Sequence, residues 1–242
     1  VRLFRSLLWC EAKRCGLSPH KIVISLRTNV GDGGIDARVN GTLGTDSVLM
    51  KGVSYFQIKT GGVFKPWQRS ALLKELFGNP KATPDREMLA PGIVECLEKQ
   101  GRYVVVSFGH DLTPNQQYKA KDLLRELLLA CGYKSPRLDV LGQSQLTGLI
   151  GTYPSLMLDI VGHRDTPFLT IETWKSRDDM LPALQLADPQ SKFIGDILGA
   201  LRERIYQHVR VIGEPGIGKT RLVLEALSAD DLAPMVLYTL HA

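Results

Sequence analysis

Gly31-Asp32-Gly33-Gly34-Ile35-Asp36-Ala37-Arg38-Val39, followed after a loop by Tyr55-Phe56-Gln57-Ile58-Lys59-Thr60, is the stretch on which the reading of this chain turns. Side chains alternate along a strand with a period of two, so Gln57 and Lys59 share one face and Phe56 and Ile58 the other. An amide oxygen and an ammonium then stand side by side. If Ile35 to Val39 runs as the neighbouring strand of a hairpin, Asp36 lies across from them with the hard anionic oxygen that Mg²⁺ prefers. The glycines ahead of it permit positive φ and close backbone approach. The plainer alternative is a glycine turn leading into a strand that happens to expose Gln57 and Lys59.

Cleavage of a phosphodiester needs a metal to neutralise charge developing on phosphate and to activate water, and a group that holds the nucleophile. Asp36, Gln57 and Lys59 are residue types that meet those needs. The order of glycine turn, aspartate, hairpin and Q-x-K resembles the PD-(D/E)xK nucleases, and more closely the Mrr-like branch that carries Q-x-K in place of E-x-K. That resemblance implies a restriction-endonuclease-like α/β fold. It further implies metal binding by Asp36, by Gln57 and by the backbone carbonyl of Ile58, with Lys59 assisting the attacking water. Mrr-like enzymes often add a glutamate directly after the first Phe of an N-terminal helix. Here Arg5 follows Phe4, and Glu11, six residues on, points well away from the Arg5 direction at about 100° per residue. Glu11 is expected to be solvated or salt-bridged, with a role at the site as the alternative. Asp32 is a weaker metal candidate than Asp36, because loop aspartates commonly serve turns.

The chain has 242 residues, 44% hydrophobic and 23% charged, which fits a globular protein of one large or two smaller domains. Its net charge of +5 permits nucleic-acid binding without requiring it. Cys10, Cys15, Cys96 and Cys131 form no C-x-x-C pair, so zinc is not expected, and they read as reduced thiols. With no signal-peptide pattern and no apolar run of about 18 residues, the sequence points to a cytoplasmic protein.

Leu3, Phe4, Leu7, Leu8 and Ala12 give Val1 to Cys15 the spacing of an amphipathic helix, which Gly16 ends. Lys21 to Arg27 reads as a strand, Gly41 to Gly52 as a polar loop, and Trp67 to Phe77 as a helix. Lys65, Arg69 and Lys74 lie near the exit of the Q-x-K strand, where they either meet phosphates or line a solvated face. Asn79 to Pro91 reads as a surface segment and Tyr103 to Phe108 as a strand buried on both faces. Thr113-Pro114 opens a helix that Gly132 closes. Leu138 to Leu141 is a further strand, with a helix from about Ser144 to before Pro154. This alternation indicates an α/β sandwich. His110 reads as loop polarity more than as a catalytic base. The polar segment 163–190 is expected to be a connector between a nuclease domain at 1–162 and a second domain at 191–242.

The second domain carries another motif. Val209-Arg210-Val211-Ile212 reads as a strand, followed by Gly213-Glu214-Pro215-Gly216-Ile217-Gly218-Lys219-Thr220 and then a helix. This is the Walker A pattern, in which Gly213, Gly216 and Gly218 shape a phosphate cradle, Lys219 reaches the β and γ phosphates of ATP, and Thr220 ligates Mg²⁺. After it, only Met235 to Leu240 reads as a strand, so a front fragment of a longer ATPase is expected. The segment from Phe193 through the P-loop resembles the entry to STAND-type ATPases. A nuclease followed by a STAND ATPase resembles the bacterial antiviral Avs group. That resemblance implies a Mg²⁺-dependent DNA endonuclease effector, silent until ATP-dependent assembly of a homo-oligomer, a tetramer on the family's pattern, is triggered by a phage protein bound to a C-terminal sensor. The isolated 242-residue piece is then expected to be weak or inactive. The alternatives are a subunit of an ATP-dependent restriction enzyme, and an inactive nuclease-like module that only binds double-stranded DNA.

Overall fold

Strand β3, Val53–Lys59, holds the centre of a mixed sheet in the order β1-β2-β3-β4-β5. The computed structural model describes residues 1–25, 33–41, 46–161, 166–178, 186–203 and 208–239. On one side of β3 lie β2, Ala37–Asn40, and β1, Ile22–Ile24, both paired antiparallel. On the other lie β4, Arg102–Ser107, and β5, Arg137–Leu141, both paired parallel. The sheet therefore changes sense at β3, and the three-valine run of β4 is buried along its whole length, as a strand covered on both faces must be.

Helices cover the two faces. Helix α1, Arg2–Arg14, sets Phe4 edge-on to Phe56 at 5.4 Å and to Phe108 at 6.1 Å. The opposite face, with Tyr55, Tyr103 and Val105, packs on α2, Arg69–Phe77, α3, Pro91–Glu98, and α4, Pro114–Ala130. Each fully buried Leu or Phe in these layers contributes about 1.5–3 kcal/mol of apolar transfer. Thr113 caps α4 and forms a reciprocal box with Gln116, as its Thr-Pro start predicts. Helix α5 covers Gln143–Gly151.

Three sequence expectations change in this first unit, Val1–Gly151. The loop read as polar buries Ser47, Leu49 and Met50. Helix α3 begins at Pro91, where a surface segment was expected to end, and its Ile93, Cys96 and Leu97 carry the helical i, i+3, i+4 signature. Strand β3 is buried on both faces: Gln57 and Lys59 terminate a face that is otherwise apolar, because Tyr55 on that face enters the helical layer.

The second unit, Thr152–Ala242, contains α6, Pro154–Val161, β6, Phe168–Thr170, α7, Ile171–Asp178, α8, Asp188–Glu203, α9, Lys219–Leu227, and β7, Leu237–Thr239. β6 and β7 pair antiparallel, and Ile171, Leu224 and Ala233 form a small core against which Trp174 packs. The segment expected as a polar connector thus carries a strand and a helix of this core. Val209 to Ile212, expected as a strand, has no strand structure. A strand needs an edge to pair with, and the two strands among the described residues of this unit pair with each other. Val209 and Ile212 are 45% and 80% exposed accordingly. No helix among the described residues is long and apolar enough to cross a membrane.

Candidate active site

The site is built where β2 parts from β3. Asp36 stands one residue ahead of β2, and its N–H donates to the Phe56 carbonyl at 2.9 Å. Its carboxylate Oδ2 accepts the Ile58 N–H at 2.6 Å, so a side chain replaces the next rung of the backbone ladder. The N–H and C=O of a strand residue project to the same edge, which turns the Ile58 carbonyl toward this position as well. The turn that delivers Asp36 requires glycine: Gly34 has φ +84°, and a Cβ there would lie 2.9 Å from that of Ala90. Asp32 and the earlier part of the turn lie outside the described residues.

On the helix-covered face, Gln57 and Lys59 meet a residue that sequence reasoning missed. Glu75 of α2 accepts a hydrogen bond from Gln57 Nε2 at 2.9 Å on its Oε2, and the same oxygen pairs with the Lys59 ammonium. At the other end of the amide, Tyr103 donates its hydroxyl to Gln57 Oε1. The reverse orientation of the amide would set its oxygen against the Glu75 carboxylate, so this network fixes it. Burial pushes the fully enclosed Tyr103 phenol well above its ordinary pKa, and the carboxylates of Glu75 and Asp36, with the Cys96 sulfur nearby, add to the effect. Tyr103 therefore remains a hydrogen-bond donor across the accessible pH range. Both acids lie close enough to that phenol to act on it.

Gln57 is 4% exposed, whereas the side chains of Lys59 and Glu75 are 28% and 20% exposed, so the cluster opens to solvent at the Lys59 and Glu75 end. Asp36 and Glu75 offer carboxylate oxygens and Ile58 a carbonyl, with no thiolate or imidazole. That donor set suits Mg²⁺ or Mn²⁺ better than zinc. Among the described residues no three His, Cys, Asp or Glu side chains gather as metal ligands.

Glu75 carried a readable signal. It follows Leu72 by three residues and precedes Leu76, at the flank of an apolar stripe that returns over the Q-x-K strand. Glu11 lies elsewhere: it is 1% exposed, paired with Arg14 at 3.1 Å and bonded by Ser47. Salt-bridged as expected but not solvated, it ties α1 to the loop before β3, toward the opposite end of that strand from Lys59. Arg5 lies over the Trp9 ring at 4.7 Å. Of the three cations near the strand exit, Arg69 pairs with Glu126 at 2.6 Å and Lys74 is exposed. His110 meets Trp67 edge-on, with ring centroids 5.1 Å apart.

In the second unit, α9 starts at Lys219 directly after Gly218, whose φ of +82° and that of Gly216, +81°, shape the turn. Lys219 Nζ donates to the carbonyls of Gly213 at 2.9 Å and Glu214 at 2.5 Å, folding over its own loop. Thr220 is exposed at the helix start. A helix N-terminus with a neighbouring ammonium is suited to anions.

Comparison of the chain with protein-family models, with curated proteins and with solved structures finds no match.

Proposed function

We propose that the first unit is a metal-dependent nuclease domain that hydrolyses phosphodiesters of double-stranded DNA at Asp36, Gln57 and Lys59. One observation carries the reading: the carboxylate at the end of β2 is fixed on the backbone of β3 between the two residues whose side chains supply an amide and an ammonium. Bound Mg²⁺ supplies the Lewis acid that neutralises charge on the phosphate and acidifies a water. Asp36 and the Ile58 carbonyl hold that cation, Gln57 orders the polar face beside it, and Lys59 stabilises negative charge on the attacking oxygen. Buried strands on both sides limit the movement of these groups, so their geometry is set before substrate arrives.

The Gly213–Thr220 segment is proposed to bind ATP, with Lys219 leaving the loop carbonyls for the phosphates and Thr220 facing the accompanying Mg²⁺. On the resemblance of both motifs to antiviral STAND proteins, ATP-dependent assembly would bring nuclease copies together and so govern cleavage. A second reading, a DNA-binding module without catalysis, is favoured by Arg5 at the position where a site glutamate was expected.

Supercoiled plasmid incubated with the chain at high concentration and Mg²⁺ or Mn²⁺ separates the two. The nuclease reading expects metal-dependent nicking that EDTA stops and that Asp36→Ala and Lys59→Ala both lack. Retarded but uncut plasmid supports the binding module.

A further inference from the structure

We infer that Glu75 is the second metal-binding carboxylate of this centre, and that Gln57, at the position of the usual strand acid, is a positioning residue that holds Glu75 in place. The inference rests on the nuclease reading and assigns its metal site. Gln57 is engaged at both ends of its amide, by Tyr103 on the oxygen and by Glu75 on the nitrogen, and it is 4% exposed. Its oxygen is directed at a tyrosine that is itself fully buried, away from the solvent-facing end of the cluster. Glu75 stands at that end, with a side chain accessible enough to share a cation with water molecules, and both of its close contacts fall on Oε2.

Charge supports the same assignment. Among the described residues of the cluster, Asp36 and Lys59 by themselves sum to zero, one negative and one positive charge, and a neutral cluster has little field to attract a divalent cation. Adding Glu75 makes two negative charges against one positive, a net of −1, and ligand charge is a main determinant of affinity for hard cations. Lys59 already serves as the counterion of Glu75, so the carboxylate is held in a partly buried place by a partner on the strand. An amide at 57 completes the arrangement because it donates to Glu75, whereas a glutamate there would oppose one carboxylate with another. The acid has in effect moved from the strand to the facing helix.

The test measures Mn²⁺ binding to the full 242-residue chain by titration calorimetry, together with plasmid cleavage, for four variants. Glu75→Gln keeps the size and one hydrogen-bonding oxygen but removes the charge; Mn²⁺ affinity should fall about tenfold to a hundredfold or more, and cleavage with it. Gln57→Ala should weaken binding less. The exchange Gln57→Glu with Glu75→Gln, which returns the acid to the strand and leaves an amide on the helix, should recover Mn²⁺ affinity to within a few-fold of the wild type. A purely structural role for Glu75 would not produce that recovery. Circular dichroism confirms that each variant is folded. If Asp36→Ala loses Mn²⁺ binding while Glu75→Gln binds as the wild type does, the assignment of Glu75 is overturned and the nuclease reading stands. If the wild type binds no Mn²⁺ at all, both fall.

Discussion

The cluster at β3 and the glycine loop ahead of α9 differ in how the chain holds them. Asp36, Gln57, Lys59, Glu75 and Tyr103 come from four places in the first unit, and each touches a residue distant in sequence. Lys219 hydrogen-bonds to carbonyls five and six residues behind it, in a loop whose residues are largely exposed. The first arrangement is a product of the whole sheet and its helices. The second is local, set by glycines at positive φ and the first turn of a helix. Substitutions in the first should therefore alter chemistry and folding together, whereas those in the second should alter ligand binding with the fold left intact.

The largest expected effect is on cleavage. Asp36→Ala and Lys59→Ala should each lower the rate by about a hundredfold to ten-thousandfold, the range for a positioned group acting in proton transfer or charge stabilisation. The two part company in stability. Asp36→Ala also strands the Ile58 N–H and should cost about 1–3 kcal/mol in urea denaturation, whereas Lys59→Ala, at the solvent-facing end of the cluster, should cost less than about 1 kcal/mol. Equal stability losses would break the claim that Asp36 is part of the sheet's own ladder.

Next come two changes that weaken the scaffold. Gly34→Ala forces a side chain into φ +84° and against Ala90, and should cost about 1–3 kcal/mol. Glu11→Ala should cost a similar amount, about 1–3 kcal/mol, by leaving Ser47 and Arg14 without their buried carboxylate. Its cleavage per folded molecule should match the wild type, and a loss of rate at full folding would place Glu11 in the site after all. The smallest effect on folding is expected at Lys219→Ala. It should shift the unfolding free energy by no more than about 0.5 kcal/mol while ATP binding, followed with a fluorescent nucleotide, is lost. A large stability loss there would show that the loop is not as self-contained as its contacts indicate.

Much of the first unit was legible because its signals are periodic or local. The alternation of Tyr55 to Lys59 placed Gln57 and Lys59 on one face, the valine run of β4 announced a doubly covered strand, and Thr113-Pro114 announced α4. Asp36 was placed opposite them by assuming a hairpin, and β2 pairs with β3 in that sense. Glu75 was legible only as the flank of the α2 stripe, not as a partner of Gln57 and Lys59. Its partners lie 16 and 18 positions back, and nothing in the periodicity of α2 says which strand residue it will meet. The second unit shows the reverse error. Val209 to Ile212 has the composition of a strand, but β propensity expresses itself only where a partner edge exists. The segment before α8 looked like a linker because its polar residues outnumber its apolar ones, yet Ile171 and Trp174 are enough to anchor a helix on the small core.

The central claim is that the carboxylate just ahead of β2 and the ammonium on β3 form one metal-dependent phosphodiesterase centre. It is tested most directly by single-turnover cleavage of an end-labelled DNA duplex under excess chain, with Mg²⁺ or Mn²⁺, for the wild type, Asp36→Ala and Lys59→Ala, each confirmed to bind the duplex. The account predicts a metal-dependent cleavage product with the wild type and cleavage at least about a hundredfold slower with either variant. A wild type that binds the duplex and leaves it whole, or a variant that cuts at the wild-type rate, would contradict it.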